Sequence, residues 1–398
     1  MNYYTATLLV YAGVDIIACL ALNLQFGGSG IVNFSFIVFQ AVGAYTAAVL
    51  SMPPDTANGA YQIYVGGFQL PFPIPWLGGA LAGGLVAFPV GLIILRNLRP
   101  DYQAIALLVL SVIANTVITN YRPFLNGAAG IAQVPGPFSD QIDPLTPDYQ
   151  TLYVGLTAAC AVLVFFVVRR IVNSPYGRSL RAMRERNLAA SALGKNIVEL
   201  KMTTFIVGGV IAGLSGAILV GYITLWAPSV WLYPETIILF AAVIVGGRGN
   251  NFGAILGALL VPVGFEEATR FIPNIGPVGV IPALQWVAIG ILISDFHSVR
   301  AQGLSPTLLL AFEARTPRDI PAQASRHRAR PPAHPTQRGG RDAPPLRGYE
   351  GRGRRHDRSS ARPDHGPHRA QRGGQIDLPR RACRDPSGDQ RQDHLRRQ

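Results

Sequence analysis

Apolar residues fill the first 304 positions of this 398-residue chain in long runs, which are separated by shorter stretches that carry the charges. A helix needs about 20 mostly apolar residues to cross the hydrocarbon core of a bilayer. The runs therefore predict an all-α polytopic membrane protein with about eight to ten transmembrane helices. The predicted spans, of which the seventh and eighth are short and glycine-rich, are Ala6–Phe26, Ile31–Ser51, Pro75–Leu95, Gln103–Thr119, Tyr153–Val172, Met202–Thr224, Thr236–Gly246, Phe252–Glu266 and Val278–Asp295.

Two of these spans carry a small residue at every fourth position. Small residues at this spacing lie on one face of a helix and let a neighbouring backbone approach closely. We therefore expect both spans to use these faces for helix packing. The residues are Gly79, Gly83, Ala87 and Gly91 in the third span and Gly209, Gly213, Ala217 and Gly221 in the sixth.

Basic residues fall unevenly on the two sides of the predicted spans. If the Arg-rich segment 169–201 is placed in the cytoplasm, that side receives twelve of the 14 basic residues of positions 1–304, and the other side receives Arg122 and Arg270. An excess of Lys and Arg marks the cytoplasmic side of a membrane protein. The sequence thus predicts an N-terminus outside and a C-terminus in the cytoplasm.

Composition divides the chain after Leu304. Residues 1–304 hold 14 Lys and Arg against 12 Asp and Glu, whereas residues 305–398 hold 21 Arg, no Lys and 10 acidic residues. We interpret the first part as a membrane domain. The second part has one Phe and one Tyr, and so little apolar surface predicts a disordered Arg/Pro-rich tail. It also lacks aromatic residues interleaved with the basic ones, so we expect no nucleic-acid partner, although an RNA-binding tail on a membrane anchor remains an alternative.

The membrane domain shows none of the patterns that enzymes need. It has one histidine, His297, no nucleophile motif and no paired carboxylates, and the three cysteines of the chain are too far apart in sequence for a zinc motif. We therefore expect no catalytic, cofactor-binding or metal-ligating residues. Asp15 is the one acidic residue well inside a predicted span, which makes it a functional candidate or a residue near the outer interface. With so few intramembrane acids, the sequence favours an external source of energy over an ion-coupled carrier that uses Asp15.

The Arg-rich segment between the fifth and sixth predicted spans begins at Ser174 and ends at Lys201. Pro175 is tolerated in the first turn of a helix, and Gly194 is a typical stop. Leucines and a methionine between them can line one side of the helix, with arginines on the other. The pattern predicts an amphipathic helix that docks a soluble partner or lies on anionic headgroups, and spacing does not decide between the two.

This segment resembles the "EAA" coupling loop of ATP-binding-cassette importer permeases, specifically those of the branched-chain amino acid and urea permease family. Ala189, Ala190 and Gly194 fill its Ala-Ala…Gly positions, but Leu188 stands where the family has an acidic residue, and Glu185 lies three positions earlier. Further motifs in family order are Gly27-Gly-Ser-Gly30, Asn33-Phe-Ser, Gly43-Ala-Tyr-Thr46, Asp101-Tyr-Gln-Ala104, Asn126-Gly-Ala-Ala-Gly130, Gly246-Gly-Arg-Gly249 and Arg300-Ala-Gln-Gly-Leu304. Together they cover nearly all of positions 1–304.

The resemblance implies a transmembrane permease domain in a bacterial inner membrane that works with a second homologous permease subunit. Two cytoplasmic ATPase subunits would bind ATP-Mg, and this chain itself would bind no cofactor. An extracytoplasmic binding protein would deliver branched-chain or related amino acids. A urea or short-amide permease remains open. The residues that would contact the ATPase are Ser174, Pro175, Gly177, Arg178, Arg181, Arg184, Glu185, Ala189, Ala190 and Gly194. The candidates for the translocation pathway are Asp15, Asn23, Gly30, Asn33, Asn115 and Gly247.

The tail has a second interpretation as a shifted reading frame. Degenerate codons read one base later from His368 permit Ile-Gly-Pro-Asn-Gly-Ala-Gly-Lys-Ser-Thr-Phe, which contains the phosphate-binding pattern GxxxxGK(S/T). The same shift from Leu346 permits a segment that resembles the start of a transporter ATPase. We therefore predict a frameshift between Leu304 and Leu346, in a gene that joins a permease to its ATPase. In the frame given, Arg369–Leu378 has neither the glycine loop nor its lysine, so we expect no ATPase activity from this chain.

Overall fold

The computed structural model describes residues 3–54, 62–139, 141–185, 187–265, 267, 284, 286–291 and 294. The described residues confirm an all-α polytopic membrane protein, in which two-residue strands β1 (Ile131–Ala132) and β2 (Leu225–Trp226) form a small antiparallel pair. The helices are α1 (Tyr3–Leu22), α2 (Phe36–Ser51), α3 (Ile74–Asn97), α4 (Pro100–Asn120), α5 (Arg122–Leu125), α6 (Pro147–Asn173), α7 (Pro175–Glu185), α8 (Asn187–Ala192), α9 (Ile197–Ile223), α10 (Tyr233–Gly246) and α11 (Asn251–Ala258). π-helical turns follow α1 at Asn23–Gly28 and α11 at Leu259–Phe265.

Six helical stretches in the described residues are long and apolar enough to cross a membrane. They correspond to the first, third, fourth, fifth, sixth and seventh predicted spans, and the second and eighth correspond to the shorter apolar helices Phe36–Ser51 and Asn251–Gly264. Most of the ninth predicted span, Val278–Asp295, and the whole of residues 305–398 lie outside the described residues.

Helix boundaries differ from the predicted ones where polar side chains take over the backbone hydrogen bonds. The sixth span begins at Ile197 because the Asn196 side chain accepts a hydrogen bond from the Glu199 amide. The second begins at Phe36 rather than Ile31, because the backbone before it is held in an irregular conformation by Asn33.

The centre of the molecule is a close contact among α2, α3 and α9. A Cβ atom added to Gly79 would lie 2.6 Å from the Gly43 carbonyl oxygen, and one added to Gly209 would lie 2.6 Å from the Ala87 Cβ. Both distances are far below van der Waals contact, so only glycine allows these backbones to approach. The predicted small-residue faces of the third and sixth spans are confirmed as packing faces.

The two ends of the helical domain differ in charge. α3 and α9 run antiparallel, because Gly91 near the end of α3 meets Met202 near the start of α9. The end of α3 therefore lies with the start of α9 and with α7 and α8, and we call this the basic end. Its described basic residues are Arg96, Arg99, Arg169, Arg170, Arg178, Arg181, Arg184, Lys195, Lys201 and Arg248. The opposite end, formed by loops 62–73 and 125–146 and the β1–β2 pair, has Arg122 as its one basic residue among those described.

Candidate functional sites of the membrane domain

A sharp turn joins α6 to α7 at the basic end. The Ser174 hydroxyl donates to the Ile171 carbonyl at 2.6 Å and accepts from the Gly177 amide at 3.3 Å. Pro175 is the first residue of α7, where its missing N–H costs nothing. A Cβ atom on Gly177 would lie 2.7 Å from the Ile171 carbonyl. These three residues thus fix the direction in which α7 leaves α6.

The described residues of the predicted amphipathic helix form α7 (Pro175–Glu185) and α8 (Asn187–Ala192). Gly194, at φ +76°, donates to the Ser191 carbonyl and ends the segment as predicted. Ala189 belongs to α8, and its side chain lies outside the described part of the chain. We refer to Pro175–Ala192 as the α7–α8 segment.

The apolar side of the α7–α8 segment is attached to the start of α9. Leu180, Met183 and Ala190 form a buried cluster separate from the main core, against Tyr176 and Leu200. The Tyr176 hydroxyl donates to the Leu200 carbonyl at 2.9 Å and lies 2.8 Å from the Thr204 hydroxyl. Burial raises the pKa of the Tyr176 phenol above its ordinary value. The segment is therefore bound to a membrane-crossing helix by both apolar and polar contacts.

The charged side of the segment is exposed, with one inward contact. Arg178 and Glu185 face solvent, and Arg181 donates to the Val172 carbonyl at 2.8 Å. Arg184 instead donates through Nη1 to the Gly27 carbonyl in the π-helical turn after α1. A Cβ atom on Gly249 would lie 3.3 Å from the same nitrogen. Arg184 thus stands where the two glycine-rich stretches of the sequence meet.

A second side chain holds these two stretches together. The Asn23 side-chain oxygen accepts from the Gly249 amide at 2.8 Å, and its nitrogen donates to the Asn251 side chain at 3.2 Å. Asn23 is 2% exposed. Asn23, Gly27, Arg184 and Gly249 form a contact that we call the inner joint, which links α1, the α10–α11 turn and α7.

Asn33 and Gly30 lie in the irregular segment between α1 and α2. The Asn33 side chain donates to the Gln25 side-chain oxygen at 2.9 Å and accepts from the Ser35 amide at 3.1 Å and hydroxyl at 2.8 Å. Gln25 in turn donates to the Phe205 carbonyl on α9 at 3.1 Å. These bonds satisfy the polar groups that the break in the helix would otherwise leave unpaired in an apolar environment.

Three other pathway candidates, Asn115, Gly247 and Asp15, are not part of the inner joint. Asn115 donates to the Pro228 carbonyl at 2.8 Å and to the Trp231 carbonyl at 3.3 Å, and so supports the non-helical backbone before α10. Gly247, at φ +108°, makes the turn after α10. Asp15 lies eight residues before Asn23 on α1 and lines a separate cavity of about 500 Å³ beside Pro262. The inner joint therefore includes Asn23 and adjoins Gly30 and Gly247, but not Asp15 or Asn115.

A further cavity lies at the opposite end from the inner joint and was not predicted from the sequence. Its volume is about 370 Å³, and it is enclosed by α2, α3 and α9 with the loops before α3 and before α6. We call it the outer cavity. Its lining residues are Ala47, Ser51, Pro53, Gln69, Leu70, Pro71, Phe72, Pro75, Trp76, Gln133, Val134, Pro135, Gly136, Pro137, Phe138, Ser139, Ala217, Val220 and Gly221. The clustered prolines in these loops were the available signal, since proline breaks helices.

The apolar helices, the broken segments between them and the α7–α8 segment at the basic end define a multi-pass membrane protein. Residues 4–293 match the family model of the permease component of branched-chain amino acid transport systems, and the chain belongs to that family.

The relatives of this chain include permeases that are named for different substrates. The chain is 31% identical to the high-affinity branched-chain amino acid transport system permease protein LivM of Salmonella typhimurium, over 65% of this chain and 62% of that protein. It is 27% identical to the probable LivM of Methanocaldococcus jannaschii, over 63% of this chain and 77% of the relative. The guanosine ABC transporter permease protein NupQ of Bacillus subtilis is 23% identical, over 68% of this chain and 82% of the relative. No solved structure matches the chain.

Proposed function

We propose that this chain is the membrane permease subunit of an ATP-binding-cassette importer for branched-chain or related amino acids. It lies in the bacterial inner membrane with its N-terminus outside and its C-terminus in the cytoplasm, and it alternates between outward- and inward-facing states. Energy comes from ATP-Mg bound and hydrolysed by partner subunits, so that this chain supplies no catalytic residue.

The hydrogen bond from Arg184 to the Gly27 carbonyl, inside the inner joint, carries this proposal. The α7–α8 segment presents Arg178 and Glu185 outward at the basic end, where a soluble partner can reach them. The same helix sends Arg184 inward to Gly27. A displacement of α7 therefore acts directly on the end of α1, and through Asn23 on the α10–α11 turn. A surface contact is in this way joined to two discontinuities in the membrane-crossing helices, which is how an external energy source could move the spans.

The proposed assembly contains a second homologous permease subunit, two cytoplasmic ATPase subunits and an extracytoplasmic amino-acid-binding protein. Family membership supports it. Relatives named LivM and LivH occur in the same bacterium, Salmonella typhimurium, which fits a pair of different permease subunits.

The test is uptake by liposomes that contain this chain with its partner permease, ATPases and binding protein. Leucine, isoleucine and valine are compared with urea and guanosine. Guanosine is included because NupQ of Bacillus subtilis is named a guanosine permease. We expect uptake of a branched-chain amino acid that requires both ATP and the binding protein. Uptake without the ATPases, driven by an ion gradient and lost in Asp15→Asn, would instead identify an ion-coupled carrier.

For residues 305–398, outside the described part of the chain, the proposal is that the gene continues in another frame into an ATPase. The test is the DNA sequence across codons 300–398, together with mass spectrometry of the protein made by the cell. Peptides that contain the glycine loop and its lysine are expected. Peptides of the Arg-rich frame alone would contradict the frameshift.

A further inference from the structure

Arg248 contacts the inner joint through an aromatic ring. Its guanidinium carbon lies 5.4 Å from the centre of the Phe26 ring, which is within the range of a cation–π contact. Phe26 directly precedes Gly27, whose carbonyl accepts the hydrogen bond of Arg184. Two arginines, one from α7 and one from the α10–α11 turn, therefore hold neighbouring residues of the π-helical turn after α1.

The Phe26 ring continues this contact towards α10 and the segment before α2. It meets the Phe240 ring edge-on, with the ring centres 5.2 Å apart, and Phe240 meets Phe34 at 5.1 Å. Phe240 is buried. Phe34 adjoins Asn33, whose hydrogen bonds hold the irregular backbone before α2. We call Phe26, Phe34 and Phe240 the aromatic cluster, and it joins the π-helical turn to α10 and to the start of α2.

The two turns that the arginines hold are in direct contact. A Cβ atom added to Gly27 would lie 3.0 Å from the Gly249 Cα, and the Gly249 amide donates to the Asn23 side chain at 2.8 Å. Arg184 comes from α7, whose exposed side a soluble partner can reach. A displacement of α7 therefore acts on both turns, and it moves them together as long as the α10–α11 turn stays attached to Phe26.

The contact between Arg248 and Phe26 is suited to opening and closing. Arg248 is exposed at the basic end, and among the described residues it forms no ion pair. Water competes with the ring for an exposed guanidinium, so a cation–π contact is weaker there than at a buried site. Such a contact orients the α10–α11 turn without fixing it in one position.

We propose that Arg248 is a positioning residue for the coupling of ATP hydrolysis to transport. Its guanidinium keeps the α10–α11 turn on Phe26, so that a displacement of α7 moves this turn and the π-helical turn as one unit. The aromatic cluster then carries the movement to the start of α2. The inference rests on the proposed function and deepens it, because it adds a second arginine and a second path to the coupling through Arg184.

The first test compares two variants of Arg248 in liposomes that contain the complete transporter. Arg248→Gln removes the cation, and Arg248→Lys keeps it. We expect Arg248→Gln to lower the uptake per ATP hydrolysed about two- to fivefold, and Arg248→Lys to retain most of the wild-type ratio, because an ammonium group also interacts with a ring face. Arg99→Gln is the matched control, since Arg99 is also exposed at the basic end. An unchanged ratio in Arg248→Gln, or an equal loss in Arg99→Gln, would overturn the proposal.

A double-mutant cycle shows whether Arg248 acts through Phe26. Phe26→Leu removes the ring but keeps an apolar side chain, and Phe88→Leu, at an exposed phenylalanine of α3, is its control. We expect Arg248→Gln to lower the uptake per ATP hydrolysed in the Phe88→Leu background and to cause no further loss in the Phe26→Leu background. An equal loss in both backgrounds would mean that Arg248 acts without Phe26, and would overturn the proposal.

Size-exclusion profile and basal ATP hydrolysis establish that each variant is assembled. A purely structural role of Arg248 would reduce the amount of assembled transporter and leave the uptake per ATP hydrolysed unchanged, which would overturn the proposal. Because Arg248 is exposed, the comparison of its Gln and Lys variants remains decisive if Phe26→Leu does not assemble. A wild-type complex that imports no solute with ATP would instead contradict the proposed function, so the two failures are distinguishable.

Discussion

At the scale of single residues, the proposed coupling depends most on Arg184. Its hydrogen bond to the Gly27 carbonyl involves a charged donor, and such bonds contribute about 1.5–3 kcal/mol. We expect Arg184→Ala to lower the uptake per ATP hydrolysed at least about tenfold. Uptake and phosphate release are measured on the same liposomes.

Arg170→Ala is the matched control for Arg184, because Arg170 also lies at the basic end, carries the same charge, is exposed and is not among the residues expected to contact the ATPase. A partner that only requires positive charge at the basic end would be affected equally by both variants. Equal loss in the two would therefore contradict a specific role for the inner joint.

Asn23 gives a second prediction about the inner joint, one of stability. Asn23→Ala removes the acceptor of the Gly249 amide and the donor to Asn251. Buried groups left unpaired cost about 1–3 kcal/mol each, so the melting temperature of the purified protein should fall. Asn120→Ala should leave it nearly unchanged, because Asn120 is exposed and bonds to its own helix at Thr116. A similar fall in both variants would contradict the role given to Asn23.

At the scale of elements, the attachment of α7 to α9 should depend on pH through Tyr176. Burial raises the pKa of this phenol, so the folded protein binds its proton more tightly than the unfolded chain does. The stabilisation is fully present below the ordinary tyrosine pKa of about 10 and is lost as pH rises through the higher value. Between pH 6 and pH 9 we therefore expect no change in coupling from this residue. Uptake per ATP hydrolysed in wild type and Tyr176→Phe, compared from pH 6 upwards, checks this, and a change confined to wild type near pH 7 would contradict it.

The packing of α3 on α9 gives a matched pair of glycine variants. A Cβ atom on Gly83 would lie 2.9 Å from the Gly213 Cα, so Gly83→Ala must separate the two helices. Gly155 on α6 has no atom within 4 Å of the corresponding position. Gly155→Ala should therefore be neutral or stabilise by up to about 1 kcal/mol, whereas Gly83→Ala should reduce folded yield and melting temperature. Equal tolerance of both would contradict the close packing.

The sequence predicted helix boundaries where a residue restricts the backbone directly. Pro175 and Gly194 bound the α7–α8 segment as expected, because proline fixes φ and glycine accepts the φ of +76° found here. Leu180 and Met183 belong to the predicted apolar side, but their burial with Ala190 against Leu200 at the start of α9 is a tertiary contact that the helical pattern alone does not show.

The inner joint and the outer cavity also differ in how far the sequence could predict them. Both glycine-rich stretches of the inner joint were visible in the sequence, but Arg184 could not be separated there from the other arginines of its segment. The outer cavity gave no pattern that sequence reasoning recognised. Gln69, Gln133 and Phe138 hold its loops at positive φ, a conformation that sequence reasoning assigns to glycine. Only the tertiary structure shows that these loops surround one space.

At the scale of the whole molecule, the charge difference between the two ends predicts the orientation in the membrane. Leu193 follows α8 at the basic end and is 80% exposed, whereas Leu145 precedes α6 at the opposite end and is 82% exposed. We expect Leu145→Cys to react with a membrane-impermeant maleimide in intact cells. Leu193→Cys should react only in inside-out vesicles, because its end carries the excess of arginine and lysine that is retained in the cytoplasm.

The labelling of Leu145→Cys and Leu193→Cys can be compared directly, because the native cysteines add little background and the two leucines are similarly exposed. Cys19 is buried and Cys160 is partly buried, and a variant with Cys383→Ser removes the remaining thiol from the background. Equal exposure means that a difference in labelling reports the side of the membrane and not the accessibility of the residue. The reverse labelling pattern would place the α7–α8 segment outside the cell, where no ATP-hydrolysing partner could act on Arg184. That single result would exclude ATP-driven coupling through the inner joint, whatever solute the protein carries.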